Sequence, residues 1–181
     1  MPIVKIENQV WMQENLNLTY FNNGDPIPEA KNSQDWIDAG INKTPVYCQA
    51  NGAKYGKLYN WYAVNDIRGL APVGWHIPSK SELEQLASAI KQDNVPNNTR
   101  FYYLTNSDFK MLPSGLRDGV TGEFINTGYS GYLWTSTQSP YRQSSAFYHL
   151  IGNFADGVPY SFLELVDSPK IYGFSIRCVR E

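Results

Sequence analysis

Apolar and polar residues alternate from Val4 to Trp11, with Val4, Ile6 and Val10 on one face. The pair Glu7-Asn8 interrupts that face, which predicts two short strands joined by a hairpin turn. Met12 to Leu18 is a short strand or irregular chain. Asn22-Asn23-Gly24-Asp25-Pro26 is a turn by composition. Asp35 to Ala39 fits one helical turn with Ser33 as its cap. Pro45 to Cys48 reads as extended, and Asn51-Gly52 as the next turn. In the aromatic run Leu58 to Val64, Leu58, Trp61, Tyr62 and Asn65 fall at helical spacing, which predicts a short helix with a buried face.

The sharpest local signal follows Pro78. Ser79 is a helix cap, and Glu82, three residues on, completes a capping box. Leu83, Leu86, Ala87 and Ile90 form the apolar stripe behind it, with Lys91 suited to the C-terminal end. Asn94 to Asn106 is polar and aromatic and reads as a loop. Gly131 to Thr137, Ala146 to Leu150 and Tyr172 to Val179 read as strands, with Gln138 to Ser145 and Gly152 to Lys170 as connections. Strands separated by turns, after one or two helices, predict an α+β fold with an antiparallel sheet. Residues 1–181 fit a single domain.

Composition narrows the function. Charged residues make up 18% of the chain, below the usual quarter, and aromatics 14%, so a disordered chain is disfavoured. The net charge of -2 and the scattered Lys and Arg weigh against a nucleic-acid partner, which needs clustered positive charge. No run of apolar residues is long enough to span a membrane. The N-terminus carries no basic-apolar signal pattern, so an exported form is expected to have lost its signal.

Candidate chemistry is sparse. No Gly-x-Ser-x-Gly elbow is present. His76 and His149 are the only histidines. His76 reads as a packing residue that hydrogen-bonds its turn, and His149 as a strand residue. Glu82 is explained by capping; Glu14, Asp118, Glu123 and Glu164 cannot be paired into a glycosidase site from sequence. Asn153 and the pair Asp156-Gly157 offer oxygens in one loop, but the usual calcium-lectin tripeptides are absent, so no metal and no cofactor is expected. Cys48 and Cys178 are far apart in sequence. A bridge between them would close a loop of roughly 130 residues, worth about 4–5 kcal/mol on chain entropy. Two separate buried thiols are equally compatible with the residues.

Several blocks resemble the Fibrobacter succinogenes major paralogous domain. They are Asn8 to Asn17, Tyr55 to Val64, Gly69 to Ser79, Leu112-Pro113-Ser114-Gly115 with Arg117, Tyr132 to Thr137, and Gly173 to Arg180. They run in order along the chain. More distantly, Gly74-Trp75-His76-Ile77-Pro78-Ser79 and Gly173-Phe174-Ser175-Ile176-Arg177 are similar to landmarks of the C-type-lectin-like and formylglycine-generating superfamily. The resemblance implies a C-type-lectin-like fold with both chain ends in one sheet. It implies a non-catalytic bacterial module, secreted or a lipoprotein, at or outside the cell surface. It also implies a disulfide between Cys48 and Cys178. Members often carry a further cysteine where this chain has Ala71. Formylglycine-type oxidase chemistry would need two neighbouring cysteines, which this chain lacks.

Trp11, Trp61, Trp75 and Trp134 lie inside those blocks and are expected in or near the core, whereas Trp36 lies outside them and is a surface candidate. Tyr129, Tyr132, Tyr141, Tyr148, Tyr160 and Phe162 are aromatic contacts among polar neighbours. Tyrosine offers rigid contact area at low entropy cost. The expected partner is a glycan or a surface protein, held by Tyr141, Arg142 and Gln143, with Asn153, Asp156 and Tyr160 next. The alternatives are a structural part of a surface assembly and a carbohydrate-active enzyme.

Overall fold

The computed structural model describes residues 2–92, 108–152 and 162–180. The opening hairpin forms where the alternation breaks. β1 (Ile3–Ile6) pairs antiparallel with β2 (Gln9–Met12) across Glu7 and Asn8. Glu7 adopts a φ of 50°, the left-handed conformation such two-residue turns demand.

α1 (Ser33–Asn42) is ten residues long, not a single turn. Its cap is Asn32 rather than Ser33: Asn32 Oδ1 accepts the Asp35 N–H at 2.9 Å, while the Ser33 hydroxyl donates to Gly122 O. The aromatic run divides in two. β4 (Lys57–Tyr59) pairs antiparallel with β3 (Tyr47–Gln49), and Asn60 then starts the four-residue helix α2 (Trp61–Val64), its side chain accepting the Ala63 N–H. A polar cap inside an apolar run changes the backbone from strand to helix.

α3 (Lys80–Gln92) starts as expected. Ser79 Oγ accepts the Glu82 N–H at 3.3 Å, and Glu82 Oε2 accepts the Ser79 N–H at 2.7 Å. Leu83, Leu86 and Ala87 are buried. The expected loop at Asn94 to Asn106 lies outside the described residues.

β5 (Leu116–Arg117) and β6 (Phe124–Ile125) form a small hairpin. β7 (Ser130–Gln138), β8 (Ser145–Gly152) and β9 (Phe162–Pro169) form a three-stranded antiparallel sheet in that order. β9 lies in the stretch expected to be a connection. The last regular strand, β10 (Val179–Arg180), covers only the end of the expected Tyr172 to Val179 strand and pairs with β2. The architecture is thus α+β, with short helices and four small antiparallel sheets among the described residues.

The tail joins these sheets. Gly173 bridges Arg117 of β5, Phe174 bridges Tyr59 of β4, Ser175 bridges Leu133 of β7, and Val179 pairs with Trp11 of β2. Gly173 is required by crowding: a Cβ there would meet the Trp36 ring at 2.6 Å and Arg117 Cβ at 2.8 Å. Phe174 is the centre of the main core, with Trp134, Tyr148 and Tyr132 ring centroids at 4.3, 4.6 and 5.3 Å.

The implied disulfide is absent. Cys48 and Cys178 are both free and buried. Cys48 packs with Trp36, Val46 and Leu58, whereas Cys178 packs with Tyr59, Phe174 and Ile176 in a different cluster. Leu58 and Tyr59 are neighbours on β4, and strand alternation sends them to opposite faces. The two thiols follow those two faces. Burial pushes each thiol up to about 12, so both stay protonated.

Candidate functional site

The expected contact residues Tyr141, Arg142 and Gln143 sit together on the turn between β7 and β8, and all three are exposed. Tyr141 is 85% exposed. The turn is pinned at its base. The Ser139 N–H donates to Ser145 O at 3.0 Å, and the Ser145 N–H to Arg142 O at 2.9 Å. The Ser139 hydroxyl reaches Asp167 Oδ2 at 2.8 Å on β9 and accepts the Tyr141 N–H. The Lys170 N–H donates to Ser144 O, while its ammonium donates to Gln138 Oε1 and covers the Trp61 ring at 4.4 Å. Burial and nearby Lys43 both lower the Lys170 pKa. Asn153, Asp156 and Tyr160 lie outside the described residues, as does the placement of the Phe162 side chain.

The other aromatic candidates divide. Tyr129 is half exposed, but Tyr132 is buried in the core and Tyr148 is packed against it. Of the tryptophans, Trp36 departs from expectation. Trp36, expected on the surface, is 1% exposed and donates its indole N–H to Ile171 O at 3.1 Å. Trp75, expected in or near the core, is half-buried and packs against the main core, with the Arg180 guanidinium 4.8 Å from its ring centre. Trp11, Trp36, Trp61 and Trp134 all donate their indole N–H to protein acceptors. Trp75 alone has no acceptor among the described residues.

Trp75 stands on the rim of a cleft of about 420 Å³, together with Asn22, His76, Ser79, Glu82 and Ser136. Local structure positions each of them. His76 is fixed by its backbone, which exchanges two hydrogen bonds with Val179 of the tail. Glu82 is fixed by the capping box. Asn22 donates to Ala71 O at 2.8 Å, and it packs so close to Gly69 that a Cβ there would lie 2.8 Å from its amide nitrogen. Ser136 lies within the irregularity in the β7–β8 register between Trp134 and Gln138, and its N–H donates to Pro78 O. Such an extra residue re-aims a strand side chain.

At the centre, His76 Nε2 lies 2.5 Å from Glu82 Oε1, and the Ser79 hydroxyl donates to Glu82 Oε2 at 2.6 Å. Burial pushes the Glu82 pKa up, but the bonds from Ser79 and then His76 outweigh it, and the carboxyl titrates below its ordinary value. In the tautomer whose Nε2 donates to Glu82, Nδ1 is an acceptor. Sequence reasoning had Glu82 as a cap and His76 as a packing residue. Glu82 does cap the helix, but His76 is exposed rather than packed and bonds Glu82 through its ring; both supply a wall of the cleft. The signal was the spacing: a histidine six residues ahead of a capping-box glutamate.

Among the described residues no group of three His, Cys, Asp or Glu side chains comes together to hold a metal. Among them, too, no helix is long and apolar enough to cross a membrane.

The sequence profile of the Fibrobacter succinogenes major domain family matches residues 4–107. The chain belongs to that family. The Fibrobacter succinogenes major domain match takes in the opening hairpin, α1, α2, the Gly74 to Ser79 approach and all of α3, hence most of the cleft wall. The exposed turn at Tyr141 lies beyond the matched residues. No curated protein matches the chain.

Proposed function

We propose that this domain is a non-catalytic recognition module of C-type-lectin-like fold, working at or outside the bacterial cell surface on a glycan or a surface protein. The observation that carries this reading is Tyr141, an aromatic ring 85% exposed on a turn tied to β9 and Lys170. A large exposed ring on a rigid support binds without the ordering cost of a mobile loop. Arg142 and Gln143 beside it supply charge and hydrogen bonds. The test compares the protein with a Tyr141→Ala, Arg142→Ala, Gln143→Ala variant on a glycan array and in capture of surface proteins from cells. The variant is expected to lose the ligand at unchanged thermal stability. Equal binding by both proteins would remove the turn from the site, and no specific ligand in either format would overturn recognition itself.

One observation favours a second reading, a carbohydrate-active enzyme: a carboxylate and an imidazole meet in one cleft. Release of reducing ends from a polysaccharide, abolished by Glu82→Gln, is the outcome that would establish it.

A further inference from the structure

We infer that the cleft at Trp75 is a binding site for one sugar ring of a neutral saccharide. This deepens the recognition reading by naming a ligand class, and it concerns a different surface from the Tyr141 turn. Among the described residues the Trp75 indole N–H has no acceptor, whereas the other four indole N–H groups each have one. His76 Nδ1 makes no hydrogen bond among the described residues, since the ring's bond to Glu82 uses Nε2. Among the described residues Glu82 Oε1 accepts from His76 alone, which leaves it a second lone pair. Thus Trp75, His76 and Glu82, each with hydrogen-bonding capacity to spare, line one cleft together with Asn22 and Ser136.

The remaining wall is apolar. Val64, Leu70 and Ile77 line it beside the Trp75 ring. A ligand that matches must therefore carry hydroxyls able both to donate and to accept, on a body with an apolar C–H face. A sugar ring has both. The volume of about 420 Å³ falls within the ordinary range of small-ligand sites.

Charge excludes the simpler ligands. An anion would face the Glu82 carboxylate. A cation would find that carboxylate already holding the Ser79 N–H, the Ser79 hydroxyl and His76, with the Arg180 guanidinium on the Trp75 ring nearby. A neutral, hydroxyl-rich molecule meets neither cost.

The indole N–H signals of the five tryptophans provide a direct reading by nitrogen–proton NMR. Glucose, galactose, mannose, xylose, fucose and N-acetylglucosamine would be titrated in turn into the intact protein. The expected result is a saturable shift of the Trp75 signal with at least one sugar, the other four staying in place. Trp75→Phe, which keeps an aromatic ring but removes the donor, should weaken that sugar by about tenfold in calorimetry. The inference is overturned if no sugar moves the Trp75 signal saturably, if another tryptophan moves instead, or if Trp75→Phe binds as tightly as the unaltered protein. Its failure leaves the Tyr141 turn unaffected, because that surface is read by the triple variant on the glycan array and in capture, and the turn holds no tryptophan.

Discussion

His76 and Glu82 meet at 2.5 Å, although one belongs to the chain leading into α3 and the other to its first turn. Because His76 also pairs through its backbone with Val179, this contact couples the start of a helix to the end of the chain. The pairing has a pH signature. Burial pushes the Glu82 pKa up, but its bonds to Ser79 and His76 bring the folded value below the ordinary one. A carboxyl depressed in this way stabilises the fold above its unfolded pKa, and the stabilisation is lost as pH falls through the depressed value. The melting temperature should therefore drop between about pH 5 and pH 2. Glu82→Gln should remove part of that drop. At neutral pH it should cost about 1 kcal/mol, seen as a melting point some 2–4 °C lower. Melts across the pH series, with and without the substitution, check both.

The two thiols should be silent in the folded protein. Cys48 and Cys178 are buried and held protonated, so a thiol reagent should label neither at neutral pH and both after unfolding. Reductant should leave the melting point unchanged. A mass two units low that reductant restores would contradict the arrangement.

Trp36 and Gly173 should fail together. Trp36→Ala removes a buried indole and should cost about 3–5 kcal/mol in chemical denaturation. Gly173→Ala pushes a methyl against the same ring and against Arg117, and should cost about 1–3 kcal/mol. In a Trp36→Ala background the Gly173→Ala penalty should shrink, because one of the two clashing groups is gone; a double-mutant cycle measures this.

Asn15 should matter more than its place in an irregular stretch suggests. Arg177 is fully buried, and its guanidinium donates to Asn15 Oδ1 at 2.9 Å, to Lys110 O and to Phe109 O. Burial lowers its pKa, with Glu14 partly opposing. Asn15→Ala leaves a buried cation short of an acceptor and should cost about 2–3 kcal/mol. Asn15→Asp retains the acceptor and should cost less. Equal losses for the two would place the effect elsewhere.

The parts of the fold legible in the sequence are those in which neighbouring residues satisfy one another. The Glu7-Asn8 turn and the Ser79–Glu82 box are of this kind: each is a contact within a few positions. The run Leu58 to Val64 misled because helical spacing of its apolar residues is real, yet Tyr59 bonds across to Phe174 and holds the first half extended. β9 escaped because Glu164 and Asp167 blur its alternation, and only pairing with β8 along its whole length makes it a strand. The tail misled for a related reason. Gly173 to Val179 resembles one strand, but each bridge goes to a different sheet, which no local pattern encodes. The candidate site divides the same way. Exposure of Tyr141 follows from a polar turn and was anticipated. The cleft depends on Asn22, Trp75 and Ser136, which are brought together from three distant stretches, and the burial of Trp36 depends on its indole reaching the distant Ile171 carbonyl.

β1 and β10 flank β2 on either side, with Ile3 opposite Met12 and Arg180 opposite Val10. At about 4.8 Å between strands and 3.3 Å per residue, Ile3 and Arg180 lie roughly 12 Å apart. A unit that is entered and left through such a narrow gate can be spliced into a surface loop of a host protein without parting the host's own strands. The tail that locks the four sheets therefore also makes the domain portable, because whatever polypeptide flanks it is received and returned at one place.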